Sequence, residues 1–187
     1  MNLIAALGNP GRKYEHTKHN FGFWVGNQFA SQNKLQFRAG KGQYVYAQQS
    51  GAFILVKPTT YMNDSGIAVK EASRYFDIET ENILLVYDDI DLPLGTLRFR
   101  SGGGSGGHKG VDSVIYHLQS EDMPRLRLGI ATDAPMRPSE RYVLLPFNLE
   151  SKKIVPQVVD QACKGIDHFL KYGITETMNQ YNRKGTV

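Results

Sequence analysis

The chain has 187 residues, the length of one domain able to bury a full hydrophobic core. With 41% hydrophobic and 21% charged residues it is not a disordered chain, and no apolar run approaches the roughly 18 residues that span a membrane. A net charge of +4 permits a nucleic-acid partner without establishing one, so the placement of the basic residues decides.

Residues 1–7 read as a short buried strand, stopped by Asn9-Pro10-Gly11. An amphipathic helix carrying Phe21, Val25 and Phe29 begins close to His19-Asn20. The positive end of a helix dipole favours neutral imidazole, the form that accepts a proton. His19 is therefore a candidate general base, with a solvated or capping histidine as the plain alternative. Residues 44–48 and 52–57 form a hairpin across Gln49-Ser50-Gly51, 59–64 a loop, and 65–76 a helix with Ile67, Val69, Ala72, Tyr75 and Phe76 at helical spacing. Residues 82–87 are a buried strand ending in Asp88-Asp89; 96–100 is a strand followed by the glycine-rich 102–107. A helix over 111–118, a strand over 125–131 and an irregular stretch over 132–149 follow. The longest helix spans 151–172, with Ser151 as N-cap and Pro156 in its first turn or at a kink. Cys163, the single cysteine, lies on that helix as a buried structural thiol. A lone cysteine and an N-terminus without a basic and apolar leader pattern point to the cytosol. The alternation of elements implies an α/β fold: a single domain over 1–187, with a twisted mixed β-sheet flanked by α-helices.

Sites in such folds gather at strand ends, here in the loops 8–20, 58–64, 88–93 and 101–109. An acid leaving a buried strand, as Asp88 does, can orient a histidine and stabilise its protonated ring. Asp88, Asp89 and Asp91 together also permit a Mg²⁺ or Ca²⁺ reading, though no further ligand cluster accompanies them. Asn63 either caps the following helix or, where Asp64 or Ser65 does so, offers its amide to a ligand carbonyl. The glycine run contains a formal G-x-G-x-x-G, but Asp122 precedes the next strand instead of ending it, and His108 stands where a phosphate loop needs glycine before its lysine. There remains a loop whose amides can approach a phosphate or peptide, or a plain surface loop. Arg98 and Arg100 alternate with Leu97 and Phe99, and Arg125 and Arg127 with Leu126, Leu128 and Ile130. If the strands are neighbours, their arginines make one guanidinium stripe, a phosphate track with Lys109, Arg137 and Arg141 near it in sequence.

Several long stretches resemble the bacterial peptidyl-tRNA hydrolase family, in its order and over essentially the whole chain. They are Gly8-Asn9-Pro10-Gly11 with Tyr14, Thr17, His19-Asn20 and Gly22; Pro58-Thr59-Thr60-Tyr61-Met62-Asn63 with Ser65-Gly66; Asp88-Asp89-Ile90-Asp91-Leu92-Pro93 with Gly95; the run 102–110; and Arg125-Leu126-Arg127-Leu128-Gly129-Ile130. The resemblance implies a monomeric α/β enzyme of the cytoplasm that needs no cofactor or metal. Its substrate is peptidyl-tRNA, engaged at the acceptor stem and 3′ end, and the ester between peptide and tRNA is cleaved. By matching positions His19 is the base that activates water and Asp88 its orienting partner. Asn9 and Asn63 position the peptide and help stabilise the oxyanion; Tyr14, Tyr61 and Met62 line the peptide cleft. Arg100 and Arg127, with Arg98 from the stripe, bind tRNA. One position departs: the family usually has asparagine after Gly-Gly-His, and this chain has Lys109, expected to contact a phosphate or carbonyl near the tRNA 3′ end. A second reading, an RNA-binding protein with little hydrolysis, rests on that lysine.

Overall fold

Four apolar runs make the centre of one sheet. In the computed structural model, which describes residues 1–182, β1 (Asn2–Ala6) lies in parallel between β4 (Phe53–Pro58) and β5 (Ile83–Pro93), and β5 pairs in parallel with β7 (Arg125–Ala131). Antiparallel strands complete the edges: β3 (Tyr44–Gln49) and the two-residue β2 (Arg38–Ala39) on one side, β6 (Leu97–Arg100) on the other. The order is β2-β3-β4-β1-β5-β7-β6. Among the described residues five α-helices flank it: α1 (Phe21–Gln32), α2 (Ser65–Tyr75), α3 (Lys109–Leu118), α4 (Ser139–Val143) and α5 (Leu149–Tyr181).

Strand alternation divides the core in two. Ile4, Leu84 and Val86 pack with Phe21, Val25 and Phe29 of α1 and Ile166 of α5. Leu3, Ala5 and Leu85 pack on the other face with Ala68 and Val69 of α2 and Val111 and Val114 of α3. The expected mixed sheet between helices is what forms. Residues 183–187 of the expected 1–187 domain lie outside the described residues. No helix among the described residues is long and apolar enough to cross a membrane.

Several details differ from the expectation. β5 does not end at Tyr87, because Asp88 and Asp89 still pair with Leu128 and Gly129 of β7, and the ladder becomes irregular only between Asp89 and Pro93. Residues 132–149 are not wholly irregular, since they contain α4. The N-cap of α5 is Asn148, whose side chain accepts the Ser151 amide at 2.8 Å, so Ser151 lies inside the helix. The helix also runs past Tyr172 through a break at Gly173 (φ 78°), not at Pro156, because Met178 and Tyr181 beyond the break still pack on the core.

Topology places the site. β1, β4 and β5 are parallel, so the segments that leave their carboxyl ends lie at one edge of the sheet. The glycine loop does not start at that edge as expected. β6 is antiparallel and ends where Arg100 faces Arg125, at the beginning of β7, and the loop crosses back from there to α3.

Candidate active site

His19 is delivered by close packing. It sits in a 3₁₀ turn (Lys18–Asn20) that runs straight into α1, and Gly22 lets that helix approach the strand ends: a Cβ there would stand 2.4 Å from Val86 O and 2.5 Å from Leu7 O. The ring then meets Asp88 at the end of the buried part of β5, with Nδ1 3.0 Å from both carboxylate oxygens. An ionised carboxylate only accepts, so Nδ1 carries the hydrogen and Nε2 is left as the basic nitrogen.

A second histidine, not among the candidate catalytic residues, reaches the same carboxylate. His108 Nε2 lies 3.0 Å from Asp88 Oδ1. Its Nδ1 accepts the Val111 amide at 3.2 Å and so caps α3. Nε2 must therefore hold the ring hydrogen and donate it to Asp88. Both nitrogens of His108 are committed, which leaves Nε2 of His19 as the free base. The two rings arrive from helices on opposite faces of the sheet. Burial alone would push the Asp88 carboxyl up, but His19 and His108, by their charge when protonated and by the hydrogen bonds they donate, hold it well below the usual carboxylate range.

His19, Asp88 and His108 bring three metal-ligating atoms within 4.8 Å of one another. The donor chemistry argues against an ion among them. A histidine bound to metal through Nε2 normally donates from Nδ1, whereas His108 Nδ1 accepts an amide hydrogen. The acids after Asp88 do not gather as ligands either: Asp89 pairs with Arg127 and accepts the Asp91 amide, and Asp91 is exposed.

These groups open into a cleft of about 830 Å³. Of the residues expected at the site, Asn9, Tyr14, His19, Tyr61, Met62, Asn63, Asp88, Arg100, Lys109 and Arg127 all line it; Arg98 does not. Asn9 is held on three sides: its amide donates to Asn20 Oδ1 (2.7 Å), its carbonyl accepts from Asn20 Nδ2 (2.9 Å), and its Oδ1 accepts the Met62 amide (2.7 Å). Only Nδ2 remains free to donate. Asn63 is exposed and caps nothing; neither does the Asp64 side chain, so the amide is available. Tyr14 and Tyr61 meet edge to face, ring centres 6.1 Å apart. Lys109 is exposed at the first turn of α3. Near it Glu140 is held below its ordinary value, by its own backbone amide first and then by Lys109, Ser139 and Arg137.

The arginine stripe is real in register but not in character. Arg98 faces Arg127 and Arg100 faces Arg125 across β6 and β7. Arg125, however, is 2% exposed and donates to the carbonyls of Gly103, Gly104 and Glu121. It anchors the glycine loop and is no part of a phosphate track. Arg127 is half-buried and paired to Asp89. Arg98 and Arg100 make no ion pair among the described residues. Alternation shows which face a guanidinium takes, but a loop that folds back over that face is a non-local fact. His108 left no comparable local signal, since histidine is not among the residue types that favour the N-cap.

The peptidyl-tRNA hydrolase family model matches residues 3–186. A peptidyl-tRNA hydrolase of Persephonella marina is 39% identical over 183 residues, covering 97% of each chain. One of Prosthecochloris aestuarii is 40% identical over 185 residues, 97% of this chain and 96% of its own. The crystal structure of peptidyl-tRNA hydrolase from Acinetobacter baumannii superposes with a TM-score of 0.91 at 30% identity, over 99% of this chain and 96% of that one.

Proposed function

Because the chain belongs to the peptidyl-tRNA hydrolase family, and so is an esterase that frees tRNA from peptidyl-tRNA, we propose that His19 is its general base and Asp88 the group that orients it. The observation that carries this reading is the His19 Nδ1–Asp88 hydrogen bond, which leaves Nε2 as the one free ring nitrogen of the pair of histidines.

Nε2 accepts a proton from water as the water oxygen attacks the ester carbonyl carbon, and the carbonyl electron pair moves onto its oxygen. Asp88 stabilises the imidazolium so formed. Collapse of the tetrahedral intermediate re-forms the carbonyl and breaks its bond to the ribose oxygen, which takes the proton back from Nε2. Asn9 Nδ2 and the Asn63 amide supply hydrogen bonds to the developing oxyanion and the peptide. Tyr14, Tyr61 and Met62 receive the peptide beside them.

Arg98 and Arg100, unpaired, and Arg127, shared with Asp89, engage phosphates of the acceptor stem. Lys109 takes a phosphate or carbonyl near the 3′ end: it donates as the usual asparagine would, cannot accept, and adds a charge. The family resemblance implies a monomer, and a substrate made by translation suits the cytoplasm. The test is release of tRNA from an N-blocked aminoacyl-tRNA. His19→Ala should abolish turnover and leave tRNA affinity nearly unchanged; retained turnover would refute the base assignment.

A further inference from the structure

Lys18, the residue before His19, carries a buried charge that the reaction above does not use. It is 5% exposed and forms no ion pair among the described residues. Burial pushes its ammonium below the usual lysine range. An unpaired buried charge is costly, so its contacts must compensate. Nζ donates to Leu145 O at 3.3 Å and to Pro146 O at 3.0 Å, and it lies 4.2 Å from the ring centre of Tyr142. These partners, with the Phe147 ring centre at 5.4 Å, all lie on one segment. The backbone repeats the tie: the Lys18 amide donates to Leu145 O at 3.1 Å, and Thr17 forms a β-bridge with Pro146. That segment is also a wall of the cleft, through Glu140, Val143 and Leu144.

We propose that Lys18 is a positioning residue for substrate: its ammonium pins the turn after α4 to the turn that carries His19 and so fixes this cleft wall relative to the base. The His19 turn does not depend on it, being held by Asp88, by the Asn9–Asn20 pair and by Thr17 Oγ1 on Tyr14 O. The wall is tied to the sheet side by the Tyr142 hydroxyl on Ile130 O at 2.6 Å and by Tyr142 and Phe147 in the core, while the polar ties across to the His19 turn are those of Thr17 and Lys18. Loss of the ammonium therefore loosens the wall and leaves the base in place.

The inference rests on the reading of His19 as base, and the test separates the two. Steady-state hydrolysis of an N-blocked aminoacyl-tRNA is compared for the unaltered protein, Lys18→Met and Lys18→Arg. In Lys18→Met the KM should rise about tenfold, on the scale of a lost charged hydrogen bond, with kcat within about twofold and the kinetic pKa of the base unmoved. Lys18→Arg, which keeps charge and donors, should restore the KM. An unchanged KM in Lys18→Met, or a loss confined to kcat, overturns the proposal. If Lys18→Met does not fold, Tyr142→Leu, which removes the ring, must raise KM above that of Tyr142→Phe, which keeps it; equal values overturn the proposal. Activity retained by His19→Ala would instead remove the base assignment.

Discussion

His108 Nε2 stands 3.0 Å from Asp88 Oδ1, an oxygen that His19 Nδ1 also reaches. One carboxylate thus serves two rings, one with a free Nε2 and one with both nitrogens committed. His108 has a second task as N-cap of α3, and the two can be separated by substitution. His108→Ala should lose both, costing about 1 kcal/mol from the missing cap and lowering kcat. His108→Asn supplies a good capping oxygen but is too short to span to Asp88. Thermal unfolding of His108→Asn should therefore regain the share due to the cap but not that due to the Asp88 contact, while kcat stays at the alanine level; recovery of kcat would mean that the Asp88 contact does not support catalysis.

Asp88 also ties stability to pH. Burial opposes its charge, but His19 and His108 more than compensate, so its folded pKa lies below the ordinary 3.8. A depressed pKa contributes stability that is present above the unfolded value and lost as pH falls toward the folded one. Between roughly pH 5 and pH 2 the unfolded chain takes up a proton that folded Asp88 refuses, and stability drops. The melting temperature of Asp88→Asn should fall less steeply over that range than that of the unaltered protein. Equal slopes would show that Asp88 is not the group responsible.

Arg125 and Arg100 face each other across two strands, yet they should behave as opposites. Arg125→Met leaves the carbonyls of Gly103 and Gly104 without their guanidinium donors and Glu121 O with only the Gly103 amide, a cost of roughly 2–3 kcal/mol, and should speed hydrogen exchange in the 102–107 loop. It should not change the number of ions released on binding tRNA. Arg100→Ala should leave stability unaltered and lower the slope of log K against log salt by about one. A flatter salt slope in Arg125→Met would return it to the phosphate track.

Periodicity made the strands and helices legible because their burial pattern is local: Ile4 against Leu3, and Phe21, Val25 and Phe29 on one helical face. The meeting of His19 and Asp88 was legible for a related reason, since parallel strands bring their carboxyl ends together and polar residues there stand out. What local pattern could not show is what meets what. The extension of β5 through Asp89 depends on Leu128 and Gly129, some 40 residues on. The burial of Arg125 depends on a loop folding over it. Lys18 reads as a charged loop residue until the turn after α4 closes on its ammonium. In each case the deciding partner is distant in sequence and carries no periodicity of its own.

Lys109 offers the sharpest test of how this chain departs from the family's usual asparagine. At the first turn of α3 it lines the cleft without any ion pair among the described residues, and the Glu140 carboxyl feels its charge. If the lysine engages a phosphate near the tRNA 3′ end, Lys109→Asn should raise KM and lower the salt slope by about one, with kcat changed less than about threefold. Glu140→Gln removes a competing anion from the same cleft and should lower KM, an effect that disappears when Lys109 is already asparagine. Coupling of this kind between two charged side chains is what a double-mutant cycle measures. A tenfold or greater rise in kcat for Lys109→Asn would instead mark the lysine as a partial defect in an asparagine site, because the amide would then be supplying a hydrogen bond the reaction needs and the ammonium cannot make.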